Sequence, residues 1–129
     1  MINENLWYAY TQVTLVFPTR SIEGNFAIIT AWNPRSVRLS EDENRRNNRR
    51  LQQTLIGYDL TDVIVGNDDF SWYEESFAVV MPLADAVVLA GQFAQNGLYY
   101  VQDGLLILQS CLDHQRFDLG SLSSKITSP

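Results

Sequence analysis

Residues 26–55 read FAIITAWNPRSVRLSEDENRRNNRRLQQTL, and the way this stretch divides decides the fold. Phe26 to Trp32 is nearly all apolar and carries β-branched Ile28, Ile29 and Thr30, the composition of a central strand covered on at least one face. Asn33-Pro34 stops it, because proline brings no N–H to the ladder and pushes the residue before it toward extended geometry. Asn33 is therefore expected to end the strand extended, with its amide displayed at the sheet edge. Ser40 and Glu43 then match a capping box, and a helix near 41–56 follows that Gly57 can end in left-handed geometry. On this helix Asn44, Asn48, Leu51 and Leu55 share one stripe by their spacing of three and four. Burying an unsatisfied amide costs about 1–3 kcal/mol, so Asn44 and Asn48 either bond neighbouring backbone or face a wet cleft; the sequence leaves both readings open.

Working outward, Val13, Leu15 and Phe17 alternate with Thr14 and Val16 in a strand near 11–17, after an aromatic lead-in of Trp7, Tyr8 and Tyr10 expected to pack on the domain edge. Further strands fall near 60–65 and 75–81, and Pro82 opens a second helix near 83–95. Asp103-Gly104, a strong hairpin signal, joins strands near 98–102 and 105–109. Residues 1–117 thus read as one α+β domain, and serine-rich 118–129 as a disordered tail. The core order, strand-helix-strand-strand-helix-strand, is that of a ferredoxin-like βαββαβ two-layer sandwich. It predicts a mainly antiparallel sheet with both helices on one face, plus an N-terminal strand and a C-terminal hairpin strand. The second face would be closed by those strands, by the terminal aromatic residues or by a second subunit, so a homodimer is one expected arrangement.

Composition bounds the function. The chain has 129 residues, 46% hydrophobic, with no leader-like start and no window near the roughly 20 apolar residues of a membrane span, so a cytoplasmic protein without membrane contact is expected. Cys111 and His114 are the sole cysteine and histidine, which leaves no internal disulfide and no Cys/His zinc site. Net charge is −6, yet six of nine basic residues lie in 35–50. Arg45, Arg46 and Arg49 are therefore the candidate contacts for an anion, against a plain reading as a solvated helix face.

Several strings taken in order carry a resemblance: TAWNP at 30–34, LS-x-x-EN at 39–44 with Asn48 and Leu51 behind it, Gly57-Tyr58, EESF at 74–77 and F-x-QN at 93–96. Over roughly 11–109 the chain resembles a bacterial family of small domains of unknown function. The resemblance implies one compact domain and marks Asn33, Glu43, Asn44, Asn48, Glu75, Gln95 and Asn96 as motif positions. It departs from the pattern at Asn47, where relatives commonly have arginine.

No glycine-rich phosphate loop, GxSxG elbow or HExxH helix is present, so no cofactor is expected. Cys111 and His114 are spaced for a thiolate pair, but a cysteine at a strand end usually only packs. Asp68 and Asp69 with the nearby glutamates make an oxygen-ligand cation site conceivable, although acids in turns are mostly solvated. Adjacent Glu74 and Glu75 point to opposite faces of a strand, so only one can face the corner that follows Trp32. The sequence reading is a binding or interaction module. Its polar corner of Asn33, Asn44, Asn48, Glu75, Gln95 and Asn96 would take an anionic or amide-bearing small molecule, or a protein partner. A small-molecule enzyme using Glu75 as acid or base is the alternative. A nucleic-acid contact through the arginine-rich helix 41–56 is weighed against by a pI near 4.5.

Overall fold

The computed structural model describes residues 4–128. Seven strands form one antiparallel sheet: β1 (Thr14–Val16), β2 (Phe26–Ile29), β3 (Leu60–Gly66), β4 (Tyr73–Val79), β5 (Gly97–Gln102), β6 (Leu105–Ser110) and β7 (Arg116–Ser121). Their order is β1-β3-β4-β2-β5-β6-β7. Three helices accompany them: α1 (Glu4–Thr11), α2 (Glu41–Thr54) and α3 (Leu83–Gln92).

The ferredoxin-like two-helix sandwich is overturned by this arrangement: the sheet curls into a half-barrel with a core on each face and a third helix. On the convex face Leu51 of α2, Leu55 at its C-terminal cap, and Ala86 and Ala90 of α3 cover Ile29, Phe77, Val79 and Tyr100. On the concave face Trp7 of α1 packs with Leu15, Phe26, Ile28, Val65, Tyr99 and Leu108. The curl brings the two sheet ends together. Leu15 of β1 donates to the Lys125 carbonyl (2.8 Å) and accepts from Thr127 N–H (2.9 Å), and Trp7 meets Phe117 of β7 at 5.6 Å between ring centres. A sheet bent until its ends meet hides its edge, and the chain end covers what β1 would expose.

Two local corrections explain the difference. The aromatic lead-in is helical, because Trp7 and Tyr10 at a spacing of three fall on the helix side facing the sheet. Within the span read as a loose tail, residues 118–121 complete β7 and Ile126 adds a bridge to Leu15; Pro129 lies outside the described residues. Strand β7 is exposed along most of its length, so it lacks the apolar alternation that announces a strand. Gly97 leaves little room for a side chain, since a Cβ on it would lie 3.2 Å from the Trp7 ring and 3.1 Å from the Gln109 carbonyl, contacts tighter than ordinary packing.

The helix α2 begins as its capping box demands. Ser40 Oγ accepts from Glu43 N–H (3.2 Å) and donates to Glu43 Oε1 (3.0 Å). Replacing Ser40 by Ala should cost about 1 kcal/mol in urea unfolding, because an N-terminal amide loses its acceptor; an unchanged midpoint would show that the cap carries no weight.

Candidate functional site

The polar corner forms where β2 and β4 part. The last paired residues are Ile29 and Phe77, and the same register would set Ala31 opposite Glu75. Instead the Asn48 carboxamide from α2 stands between them. Its Oδ1 accepts from Ala31 N–H (2.8 Å) and its Nδ2 donates to the Glu75 carbonyl (2.8 Å), which Thr30 Oγ1 also reaches (2.7 Å). One side-chain amide replaces a rung of the ladder and holds the strands apart.

Beyond this wedge the backbone turns sharply. Asn33, Arg35 and Ser36 have φ of 47°, 55° and 61°, left-handed values that cost non-glycine residues on the order of 1 kcal/mol or more each. Asn33 is thus left-handed, against the extended geometry expected before proline. The hydrogen bonds account for it: Asn33 N–H donates to Asn44 Oδ1 (2.8 Å), and Asn33 Oδ1 accepts from Asn44 Nδ2 (3.0 Å) and Leu39 N–H (2.9 Å). From the other side Arg35 N–H donates to the Ala94 carbonyl (2.7 Å), Gln95 Nε2 to the Trp32 carbonyl (3.0 Å) and Asn96 Nδ2 to Ser36 Oγ (2.9 Å).

All six residues expected to bind ligand therefore surround segment 31–36 or the strand beside it, but they do not share one surface. Asn33 and Asn44 border an outer cleft, Gln95 and Asn96 a small inner cavity, and Asn48 and Glu75 a groove on the convex side. Their amides are occupied by the protein's own backbone and side chains. Of the arginines, Arg45 pairs with Glu75 (3.3 Å) and, at 3.7 Å, with Glu41, Arg49 borders the convex groove, and Arg46 is exposed on α2.

Glu74 is the residue that sequence reasoning passed over. It shares strand parity with Ser76 and Ala78 on the concave face, whereas Glu75 goes with Phe77 and Val79 toward the helices. That parity, with small residues at 76 and 78 leaving room beside it, was the available signal. Glu74 lies between two spaces. Behind it is a cavity of about 30 Å³ bordered by Tyr10, Ile28, Ser76, Asn96 and Tyr99, room for about one water. In front is a cleft of about 540 Å³ walled by Tyr10, Trp32, Trp72 and Tyr73, with Arg38 and Glu41 also on it. Asn33 Nδ2 donates to Glu74 Oε2 (3.0 Å), and among the described residues no group donates to Oε1.

Burial in this apolar setting raises Glu74 to about 7, although the Asn33 hydrogen bond favours its charged form. Tyr10 and Tyr99 are raised by burial first and by the Glu74 charge second or third, which identifies the groups facing it. Tyr10 itself is held by a hydrogen bond with Ser36 Oγ, and Tyr99 Oη donates to the Tyr10 carbonyl (2.6 Å), so α1 is fastened over the carboxyl. Trp32 is only 4% exposed, stacks obliquely on Tyr73 (5.5 Å), and has a buried Nε1–H with no partner among the described residues. Tyr73 Oη donates to Glu41 Oε1 (2.7 Å).

The other candidates carry less. Burial pushes the Cys111 thiol up to about 11, so it is protonated at neutral pH, and Asp69 Oδ1 is taken by Ser71 N–H within its turn (3.0 Å). Among the described residues no group of three or more His, Cys, Asp or Glu is placed to hold a metal ion, and no helix is long and apolar enough to cross a membrane.

A curled antiparallel sheet bearing an aromatic-walled cleft over one half-buried carboxyl is the class of domain that fold and site define. The chain belongs to the family described as protein of unknown function (DUF3293), whose profile matches residues 29–98. That span holds Trp32, Asn33, Arg38, Asn44, Asn48, Trp72, Tyr73 and Glu74, and leaves Tyr10 outside. No curated protein and no solved structure matches the chain.

Two outcomes test this geometry. Asn48→Leu should lower stability by about 2–3 kcal/mol, because the buried Ala31 N–H loses its acceptor; a neutral change would mean that the wedge is dispensable. For Glu74 the folded pKa of about 7 exceeds the ordinary 4.5, so between these values the folded chain holds a proton that the unfolded chain has lost. The stability that this group contributes is full below about pH 4.5 and is lost as pH rises through 7, on the order of 3 kcal/mol in total. Glu74→Gln, which keeps an acceptor for Asn33, should raise the melting temperature at pH 8, change it little at pH 4.5 and flatten the profile between. A variant that melts lower at pH 8 would show that the carboxyl is not strained by its surroundings.

Proposed function

We propose that this protein binds a small, flat, amide-bearing molecule in the cleft in front of Glu74. The observation that carries the reading is one half-buried carboxyl, with an oxygen lacking a donor, at the floor of a cleft with four aromatic rings on its walls. A volume of about 540 Å³ falls in the range of small-ligand sites, which are mostly apolar with a few fixed polar groups. Of the two ligand classes the sequence suggested, the amide is the better supported. Glu41 and Glu74 outnumber Arg38 around the cleft, a balance that repels an anion, while an N–H of the ligand suits a carboxylate acceptor.

The same carboxyl favours one alternative, a small-molecule enzyme in which Glu74, and not Glu75, moves a proton. A group near 7 in a cleft matches what acid–base catalysis needs, and Glu75 is paired with Arg45. Nucleic-acid contact through α2 has no comparable support, since Arg45 is committed to Glu41 and Glu75.

Thermal-shift screening of neutral flat amides such as nicotinamide and benzamide against citrate and phosphate tests the proposal. The amides should raise the melting temperature and the anions should not. Because an N–H donor needs ionised Glu74, affinity should climb as pH rises through 7 and fall about tenfold per unit below it. The other titratable groups facing the site are Arg38, Glu41, Tyr10, Tyr73 and Tyr99, and the three tyrosines are raised, Tyr10 and Tyr99 by burial and Tyr73 by its hydrogen bond to Glu41. Shifts given only by anions, or equal shifts in Glu74→Gln, would sink the reading.

A further inference from the structure

The site offers one acceptor that the fold itself leaves unused, beside one buried donor without a partner among the described residues, and together they constrain the ligand further than the word amide does. We infer that the cleft recognises the edge of a 2-amino-4-oxopyrimidine ring, the run of NH2, ring N–H and C=O shared by guanine bases and pterins. This rests on the proposed binding of an amide-bearing molecule in front of Glu74 and names its class.

The acceptor side comes from Glu74. Its two oxygens lie in one plane, Oε2 takes a single bond from Asn33 and Oε1 takes none among the described residues. Such a group matches two neighbouring N–H donors side by side, as a carboxylate matches the fork of a guanidinium. An amino group next to a ring N–H supplies that pair. A plain lactam does not: in uracil or xanthine the N–H is flanked by two carbonyls, and one of them would face the carboxylate. Adenine offers an amino group next to a bare ring nitrogen, which repels it as well.

The donor side comes from Trp32. An indole N–H can only donate, and a buried one usually finds an acceptor. Trp32 Nε1 is the sole buried side-chain nitrogen or oxygen among the described residues that has none, and its residue borders the same cleft as Glu74. The ring carbonyl beside the N–H is the acceptor that would complete the array once the Trp32 ring turns its buried edge to the cleft. The remaining walls suit a flat heterocycle, since Trp72 and Tyr73 present ring surface and both are only partly buried. A neutral ring also fits the excess of Glu41 and Glu74 over Arg38, which disfavours a polyphosphate.

Calorimetric titration of the full chain at pH 8 with guanosine, pterin, inosine, xanthosine and uridine decides the matter. Guanosine, pterin or both should bind, at least about tenfold tighter than inosine, which lacks only the amino group, and than xanthosine and uridine. Binding by guanosine alone assigns a purine source, and binding by pterin with or without guanosine assigns a pterin. Glu74→Gln, which sets an amide N–H against the ligand donors, should weaken this binding roughly 10- to 100-fold although the ligand-free variant melts no lower than the parent at this pH. Trp32→Phe should weaken it by a similar factor; should that variant not fold, the inosine comparison and Glu74→Gln carry the test. Equal affinity for guanosine, inosine and uridine would overturn the ring assignment and leave amide binding standing. No binding by any of the five, with nicotinamide also silent, would overturn both.

Discussion

The Asn48 carboxamide is the interaction on which the rest of the site depends. A strand pair in register closes its own hydrogen bonds and leaves no room for anything between. By giving Ala31 N–H and the Glu75 carbonyl other partners, Asn48 allows β2 and β4 to separate without orphaning buried backbone. The gap is what lets segment 31–36 fold back, with Asn33 reaching Glu74 across it. A side chain of similar size without both a donor and an acceptor would not do this, which is why a poor helix former sits in the middle of α2.

The same region concentrates cost. Three left-handed residues lie within four positions, and a carboxyl is held where its charge is disfavoured. Proteins tolerate such features where the surroundings over-determine them, and here the bonds from Asn44, Leu39, Ala94 and Asn96 do so. Binding sites are common places for this kind of conflict, because a group fully satisfied by its own fold has nothing left for a ligand. The asparagine amides bond within the fold, whereas among the described residues Glu74 Oε1 and the Trp32 indole N–H have no partner.

The two adjacent glutamates show how one strand separates two roles. Glu75, on the helix side, meets Arg45 in a solvent-screened pair worth little to stability. Glu74, one residue earlier, lies on the concave side between a water-sized cavity and an open cleft. Alternation alone assigns opposite environments to identical side chains, and the curl of the sheet makes one of those environments the more enclosed.

The sequence by itself determined the local elements: the capping box at Ser40, the stripe of Asn44, Asn48, Leu51 and Leu55, the Asp103-Gly104 hairpin and the opposite facing of Glu74 and Glu75. These are short-range properties, fixed by spacing, turn chemistry and pleat. What only the tertiary structure decided was the curling of the sheet, the helical form of the aromatic lead-in, the strand at Arg116–Ser121 and the placing of Glu74 between a small cavity and a cleft. Each depends on which distant residues meet: Leu15 with Lys125 and Thr127, Trp7 with Gly97, Tyr99 with the Tyr10 carbonyl. No local pattern encodes such meetings, because β7 is too polar to announce itself and a carboxyl reads the same in sequence whether the face it joins is wet or dry.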